Sequence, residues 1–209
     1  MISVLNNIST IIFDLGGVII NIDINRSVRA FAGHTNLSHK EIYTKFEEGS
    51  WSRDLEKGDI GPDTFRQEVR RSLNSDLNDE QVDRAWNAML VDVPISRLEL
   101  LAKLRDKYQT LVLSNTNAIH LAAFNKIISS TTQGGVINDY FDQVYYSHEL
   151  GMRKPDIEIF SHIIDAHELV PQETLFIDDM AINIMGAKSV GLKTLHLTDQ
   201  EYLAELFSR

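Results

Sequence analysis

Ile11-Ile12-Phe13-Asp14-Leu15-Gly16-Gly17 decides the fold. Three large apolar residues, two of them β-branched, read as a short buried strand. The acidic residue and two glycines that follow read as its end in a flexible turn. Val18-Ile19-Ile20 then resumes as a small flap. The same device recurs further along the chain. Thr110-Leu111-Val112-Leu113 ends in Ser114-Asn115, and Thr174 to Ile177 ends in Asp178-Asp179. Gln143 to Tyr146 and Thr194 to Leu197 are expected as two more strands. Helical patterns lie between them: Leu98, Leu101 and Leu104, then Ala118 to Ile128, Ile157 to Ala166, and Ile184 to Val190 with Gly191 as the stop. Such alternation predicts an α/β fold, a Rossmann-like parallel sheet with helices on both faces.

One segment breaks the alternation. Between about Asn25 and Leu90 helical patterns follow one another without a convincing strand: Arg26 to Phe31, Ser38 to Glu48, Pro62 to Leu73 and Asp79 to Leu90. Ser38 and Glu41 form a capping-box signal, and Phe65, Val69 and Leu73 recur at one-turn spacing. The expected organisation is a catalytic core at 1–21 and 93–209, with a helical insertion of three or four helices at 22–92. Trp51, Trp86, Phe46 and Phe65 fit the core of that insertion, with room for one of them to face a cleft.

Composition narrows the function. Hydrophobic residues at 43% suffice for a buried core, and a net charge of −10 repels a phosphodiester backbone, so no nucleic-acid partner is expected. The absence of cysteine excludes disulfides, thiolate metal sites and cysteine nucleophiles together. No long uninterrupted apolar run suggests a leader or a membrane span, so a cytoplasmic location is expected. The seven histidines show no metal-ligand spacing.

Open parallel sheets bind ligands beyond the carboxyl ends of their strands. Asp14, Ser114-Asn115 and Asp178-Asp179 all fall there, and Lys154 lies in a loop able to join them. A phosphate dianion must be neutralised before a carboxylate can approach it. A hard cation such as Mg²⁺ on Asp14, Asp179 and a backbone carbonyl of the Gly16 turn would do so, together with the Lys154 ammonium. Asp178 would hold a metal-bound water or orient its neighbour. The Ser114 hydroxyl, Asn115 and N–H groups at the start of the next helix would bond the phosphate oxygens. An ionised Asp14 could then attack phosphorus.

Phe13-Asp14-Leu15-Gly16-Gly17-Val18, Leu113-Ser114-Asn115-Thr116-Asn117, Gly151-Met152-Arg153-Lys154-Pro155 and Phe176-Ile177-Asp178-Asp179 with Asn183 resemble, in order, the four motifs of the haloacid dehalogenase superfamily. The helical insertion falls where that superfamily places its first-type cap. The resemblance is to bacterial phosphatases acting on sugar phosphates and to the phosphatase domain of soluble epoxide hydrolases. It implies Asp14 as nucleophile, Asp179 as metal ligand, and Ser114 and Lys154 at the phosphate of a small phosphorylated metabolite. One departure stands out. Gly16 occupies the position where the superfamily's phosphatases carry an acid–base aspartate. Three explanations stay open: a leaving group that needs little protonation, a substitute acid such as Asp23, or phosphate binding with weak turnover. A metal-free dehalogenase and a signalling receiver domain are the rival readings. The late acidic pair argues against the first, and the helical insertion against the second.

Overall fold

The computed structural model describes residues 4–208. Its strands are β1 Thr10–Phe13, β2 Asn21–Ile22, β3 Leu90–Asp92, β4 Gln109–Ser114, β5 Gln143–Tyr146, β6 Thr174–Asp178 and β7 Lys193–His196. The helices are α1 Ile24–Ala32, α2 His39–Glu48, α3 Trp51–Lys57, α4 Pro62–Leu73, α5 Asp79–Asn87, α6 Ile95–Leu104, α7 Ala118–Thr132, α8 Ser147–Leu150, α9 Ile157–Ala166, α10 Ala181–Ser189 and α11 Glu201–Phe207.

Five strands make one sheet in the order β5-β4-β1-β6-β7, and every pairing is parallel. The first strand in the chain is therefore the middle one in space. The side-chain alternation of β1 divides the core accordingly. Ile11 and Phe13 pack with Leu98 and Leu101 of α6, Phe124 of α7 and Leu203 of α11. Ile12 packs on the other face with Ile159 and Phe160 of α9 and Ile184 of α10. Buried on both faces, the strands read as continuous apolar runs, as parallel sheets require.

The chain between β2 and β3 holds five helices, α1 to α5, where three or four were expected. The extra one is α3, whose Trp51-Ser52-Arg53-Asp54-Leu55-Glu56-Lys57 is short and mostly polar. These helices share a separate core around Phe31, Ile42, Trp51, Phe65, Val69 and Trp86. Edge-to-face ring contacts stiffen it, with Phe46 centred 5.3 Å from Phe31 and 5.1 Å from Trp51. The Ser38–Glu41 capping box forms as read. Other boundaries move. The fifth helix stops at Asn87, and Leu90 instead starts β3, which pairs antiparallel with β2. The last sheet strand begins at Lys193, one residue earlier than expected, and α11 was not anticipated. Among the described residues, no helix is long and apolar enough to cross a membrane.

One close contact ties the sheet's outer layer to the loop carrying Lys154. A Cβ added to Gly186 in α10 would lie 2.5 Å from the Pro155 carbonyl oxygen and 2.9 Å from the Phe160 ring. Gly186→Ala must therefore displace that loop, at a cost of about 1–3 kcal/mol of overpacking. Chemical denaturation should show this loss, and an unchanged midpoint would mean that the loop yields freely.

Candidate active site

Register brings the candidate residues together. Phe13 lies opposite Val112 of β4 on one side and Ile177 of β6 on the other. The residues that follow or end these three strands, Asp14, Ser114 and Asp178, consequently share one edge of the sheet. The Asp14 N–H donates to the Ile177 carbonyl at 2.9 Å, which pins the end of β1 against β6. This is the crevice where the chain leaves the central strand in opposite directions, the usual ligand position in such sheets.

Lys154 joins the group from its loop. Its side chain is fully buried, with Nζ 2.9 Å from Asp14 Oδ1 and 2.7 Å from Asp178 Oδ2. The Asn115 amide grips Lys154 by both of its backbone groups. Its Oδ1 accepts from the Lys154 N–H, and its Nδ2 donates to the Lys154 carbonyl, each at 2.9 Å. Asn115, expected at the phosphate, thus has its amide engaged in holding Lys154. Asp178 is saturated in a similar way. Besides Lys154 it accepts from the Met180 N–H at 2.7 Å and from Asn183 Nδ2 at 3.0 and 3.1 Å.

Some of the N–H groups around the start of α7 already have partners, whereas those of Asn115, Asn117 and Ala118 have none among the described residues. Those of Ile119 and His120 donate to the Asn117 side chain, and that of Thr116 donates to Ser147 Oγ. Ser114, nearly buried at the end of β4, keeps its hydroxyl free of partners among the described residues.

Asp14, Asp178 and Asp179 each offer an oxygen within 4.8 Å of the others. With Lys154 the only ammonium paired to them among the described residues, ionising all three leaves an excess of two negative charges. The titration behaviour registers this crowding. Burial, reinforced by Asp178 and Asp179 and opposed by Lys154, pushes the Asp14 carboxyl up to about 7. Burial and the neighbouring Asp178 also raise Asp179. Burial pulls Lys154 down, but the charges of Asp14 and Asp178 outweigh it and hold the ammonium above its ordinary value. A hard divalent cation fits the donor set, which is all oxygen and two charges short of neutral. Gly17 completes the turn with φ +73°, and a Cβ there would collide with the Asp179 carboxylate.

The cluster opens into a cavity of about 510 Å³ between the sheet edge and the helices inserted after β2. Gly16, Ser114 and Asp179 lie on its floor side, while Phe46 and Trp86 reach it from α2 and α5. Two of the four aromatic residues expected in the insertion's core therefore line the cleft, where room was left for one, and Tyr43 of α2 joins them. His120, not singled out from the sequence, lines it too. Its ring stacks on Trp86 at 4.9 Å, Nδ1 lies 2.8 Å from Asn87 Oδ1, and burial pulls its pKa down to about 3. Only the stacking partner could have flagged it, and that contact is long-range. Asp23 does not line this cavity but an adjoining one that shares Gly17 and Asp179 with it; it caps α1 and pairs with Arg29 at 3.2 Å.

The chain belongs to the haloacid dehalogenase-like hydrolase family, which matches residues 8–191. It is an enzyme of that hydrolase class. The D-ribitol-5-phosphate phosphatase of Bacteroides thetaiotaomicron is 34% identical over 188 residues, 90% of each chain. A HAD family enzyme from Bacteroides thetaiotaomicron superposes with TM-score 0.81 at 36% identity over 94% of this chain and 98% of that one, and it was solved with magnesium and inorganic phosphate. The L-2-haloacid dehalogenase of Xanthobacter autotrophicus shares the fold, with TM-score 0.62 at 19% identity over 95% and 81% of the chains.

The raised Asp14 pKa has a definite sign. In buffer without divalent cations, folding draws a proton onto Asp14. The stability this gives is complete below the ordinary value of 3.8 and is lost as pH rises through about 7. Relative to wild type, Asp14→Asn should therefore gain thermal stability as pH climbs from 4 to 8. A difference between the two proteins that ignores pH would contradict the burial-driven shift.

Proposed function

We propose that this chain is a magnesium-dependent phosphatase that hydrolyses a small sugar or polyol phosphate through an aspartyl-phosphate on Asp14. The observation that carries the reading is the buried Lys154 ammonium set among Asp14, Asp178 and Asp179 at the floor of a cavity. Lone pairs of carboxylates and charges do not gather this way for stability alone, because burying them is expensive.

Asp14, Asp179 and the Gly16 carbonyl would hold magnesium, which neutralises the phosphoryl oxygens. Lys154 contributes the second positive charge, and Ser114 Oγ donates to a phosphoryl oxygen. Asn115 acts through Lys154, and Asp178 keeps that lysine charged and aimed. Asp14 Oδ1 is engaged by the Leu15 N–H at 2.7 Å and by Lys154, so Oδ2 is the oxygen free to bond phosphorus. As that bond forms, the bond from phosphorus to the ester oxygen breaks, and that oxygen leaves with the bonding pair and takes a proton from water in the cleft. Water then attacks phosphorus, the bond from phosphorus to Asp14 breaks and restores the carboxylate, and the proton water gives up leaves on the phosphate or in solvent. The five helices after β2 act as a cap that shields these steps from bulk solvent.

The polyol preference is supported by the named activity of the Bacteroides relative. A magnesium-free dehalogenase reading is supported by fold likeness alone. Gly16 leaves its position without acid–base help, which is typically worth about 10²–10⁴-fold. Its Cβ position meets only Ile22, at 3.4 and 3.9 Å, so a side chain fits there.

A screen of phosphorylated sugars, polyols, nucleotides and acyl phosphates tests the reading. Hydrolysis should require magnesium, stop with EDTA and fall by about 10³-fold or more in Asp14→Asn. Activity that survives EDTA would remove the metal from the account, and phosphate binding without any turnover would make the chain a binding protein. Because Gly16 supplies no base for the second step, phosphatase progress curves should also show an alcohol burst followed by slower turnover, and Gly16→Asp should shrink the burst. Strictly linear, fast release would point to another base.

A further inference from the structure

Three polar side chains in the cavity have unused hydrogen-bonding capacity. Arg153, immediately before Lys154, donates from one terminal nitrogen to Glu56 Oε2 at 2.9 Å. A guanidinium carries several further N–H donors. Among the described residues none of the others has a partner, and Nε is buried without one. Glu56 Oε1 likewise has no partner among those residues, nor does the hydroxyl of Ser52. Ser52 and Glu56 are one turn apart on α3, so they lie on the same helix face. All three residues line the cavity.

The placement of α3 is fixed rather than incidental. The Ser147 hydroxyl, fully buried at the start of α8, donates to the Glu56 carbonyl and accepts from the Thr116 N–H. Thr116 itself follows Ser114-Asn115. The backbone of Glu56 is thereby tied to the same sheet edge that carries the carboxylates. The lining also includes an apolar set, Ile22, Ile24, Met89 and Leu90, from the ends of the two-stranded ribbon and the start of α1. The cavity thus offers both donors and acceptors and apolar surface.

We infer that the Arg153–Glu56 pair, with Ser52, reads hydroxyl groups on the alcohol portion of the substrate. The pair presents a donor and an acceptor side by side, which suits a hydroxyl that both donates and accepts. A polyol or sugar chain can lay its C–H groups on the apolar lining while its hydroxyls meet the pair. An alkyl phosphate of the same length would leave these polar groups unpaired, and that is how a polar site rejects an analogue lacking the hydroxyl. The inference rests on the phosphatase reading and specifies which residues choose its substrate.

The decisive comparison uses D-ribitol 5-phosphate and n-pentyl phosphate, with p-nitrophenyl phosphate as a reference ester. Wild type should prefer the ribitol ester over the pentyl ester in kcat/KM by about tenfold or more. Glu56→Gln and Arg153→Gln should each collapse that ratio toward one, mainly by raising KM for the ribitol ester. Turnover of p-nitrophenyl phosphate should change little, and Arg153→Lys should recover only part of the ratio because it lacks the planar fork. If the pair merely clamps the inserted helices, both esters will lose equally and the ratio will persist, which overturns the inference. A wild-type preference for the pentyl ester overturns it as well. Calorimetric titration of Asp14→Asn, with and without Glu56→Gln, against the same two esters reads the ratio without catalysis. If wild type hydrolyses no ester, the phosphatase reading fails while the binding ratio still decides the role of the pair. Thermal midpoints near that of wild type confirm that the variants are folded.

Discussion

A lysine with no exposed side-chain surface, held between two aspartates, is the constraint on which this site depends. An ammonium cannot be buried alone, because losing its hydration is worth several kcal/mol, so its partners must arrive with it. They arrive from different places. Asp14 follows the central strand, Asp178 ends its neighbour, and Lys154 comes from a loop between α8 and α9. The sheet register must therefore be right before the ion pairs can form, and once formed they hold the strand ends to one another. Asn115 and Asn183 serve this arrangement from two sides, one gripping the lysine backbone and the other saturating Asp178.

The same arrangement explains how a stable fold tolerates a reactive centre. Three carboxylates within reach of one another repel, and burial adds to that repulsion by disfavouring charge. Lys154 relieves part of it. The remainder is visible in Asp14, whose pKa rises to about 7, and it gives the site its demand for a cation. Local instability here is the counterpart of function, because a fully neutralised pocket would have nothing left to offer a phosphoryl group.

Much of this was legible in the sequence, and the reasons are physical. Strands buried on both faces are short apolar runs, so Ile11 to Phe13 and Thr174 to Ile177 announce themselves, and a polar residue at each end marks the functional edge. Pro62 to Leu73 was read to the residue because proline at its start and a one-turn apolar repeat give both ends and a face. Helix α3 was missed because seven residues with two buried side chains carry too little periodicity. That omission hid Ser52 and Glu56, two polar residues of the cavity lining. The pairing of Asn115 with the Lys154 backbone, and the stacking of His120 on Trp86, connect distant parts of the chain. No local pattern encodes such contacts. Asp23, read as lying near the entrance to the inserted helices, stands there: it caps α1, pairs with Arg29 and lines an adjoining cavity together with Gly17 and Asp179.

The central claim is that one particular carboxylate is left free to bond to phosphorus. Acid quenching during turnover, followed by peptide mass spectrometry, tests it most directly. A phosphoryl group should appear on the peptide containing Asp14, in wild type and not in Asp14→Asn. Phosphoryl label on Ser114, or steady turnover with no covalent adduct at any quench time even in Gly16-containing wild type slowed by low temperature, would contradict the account.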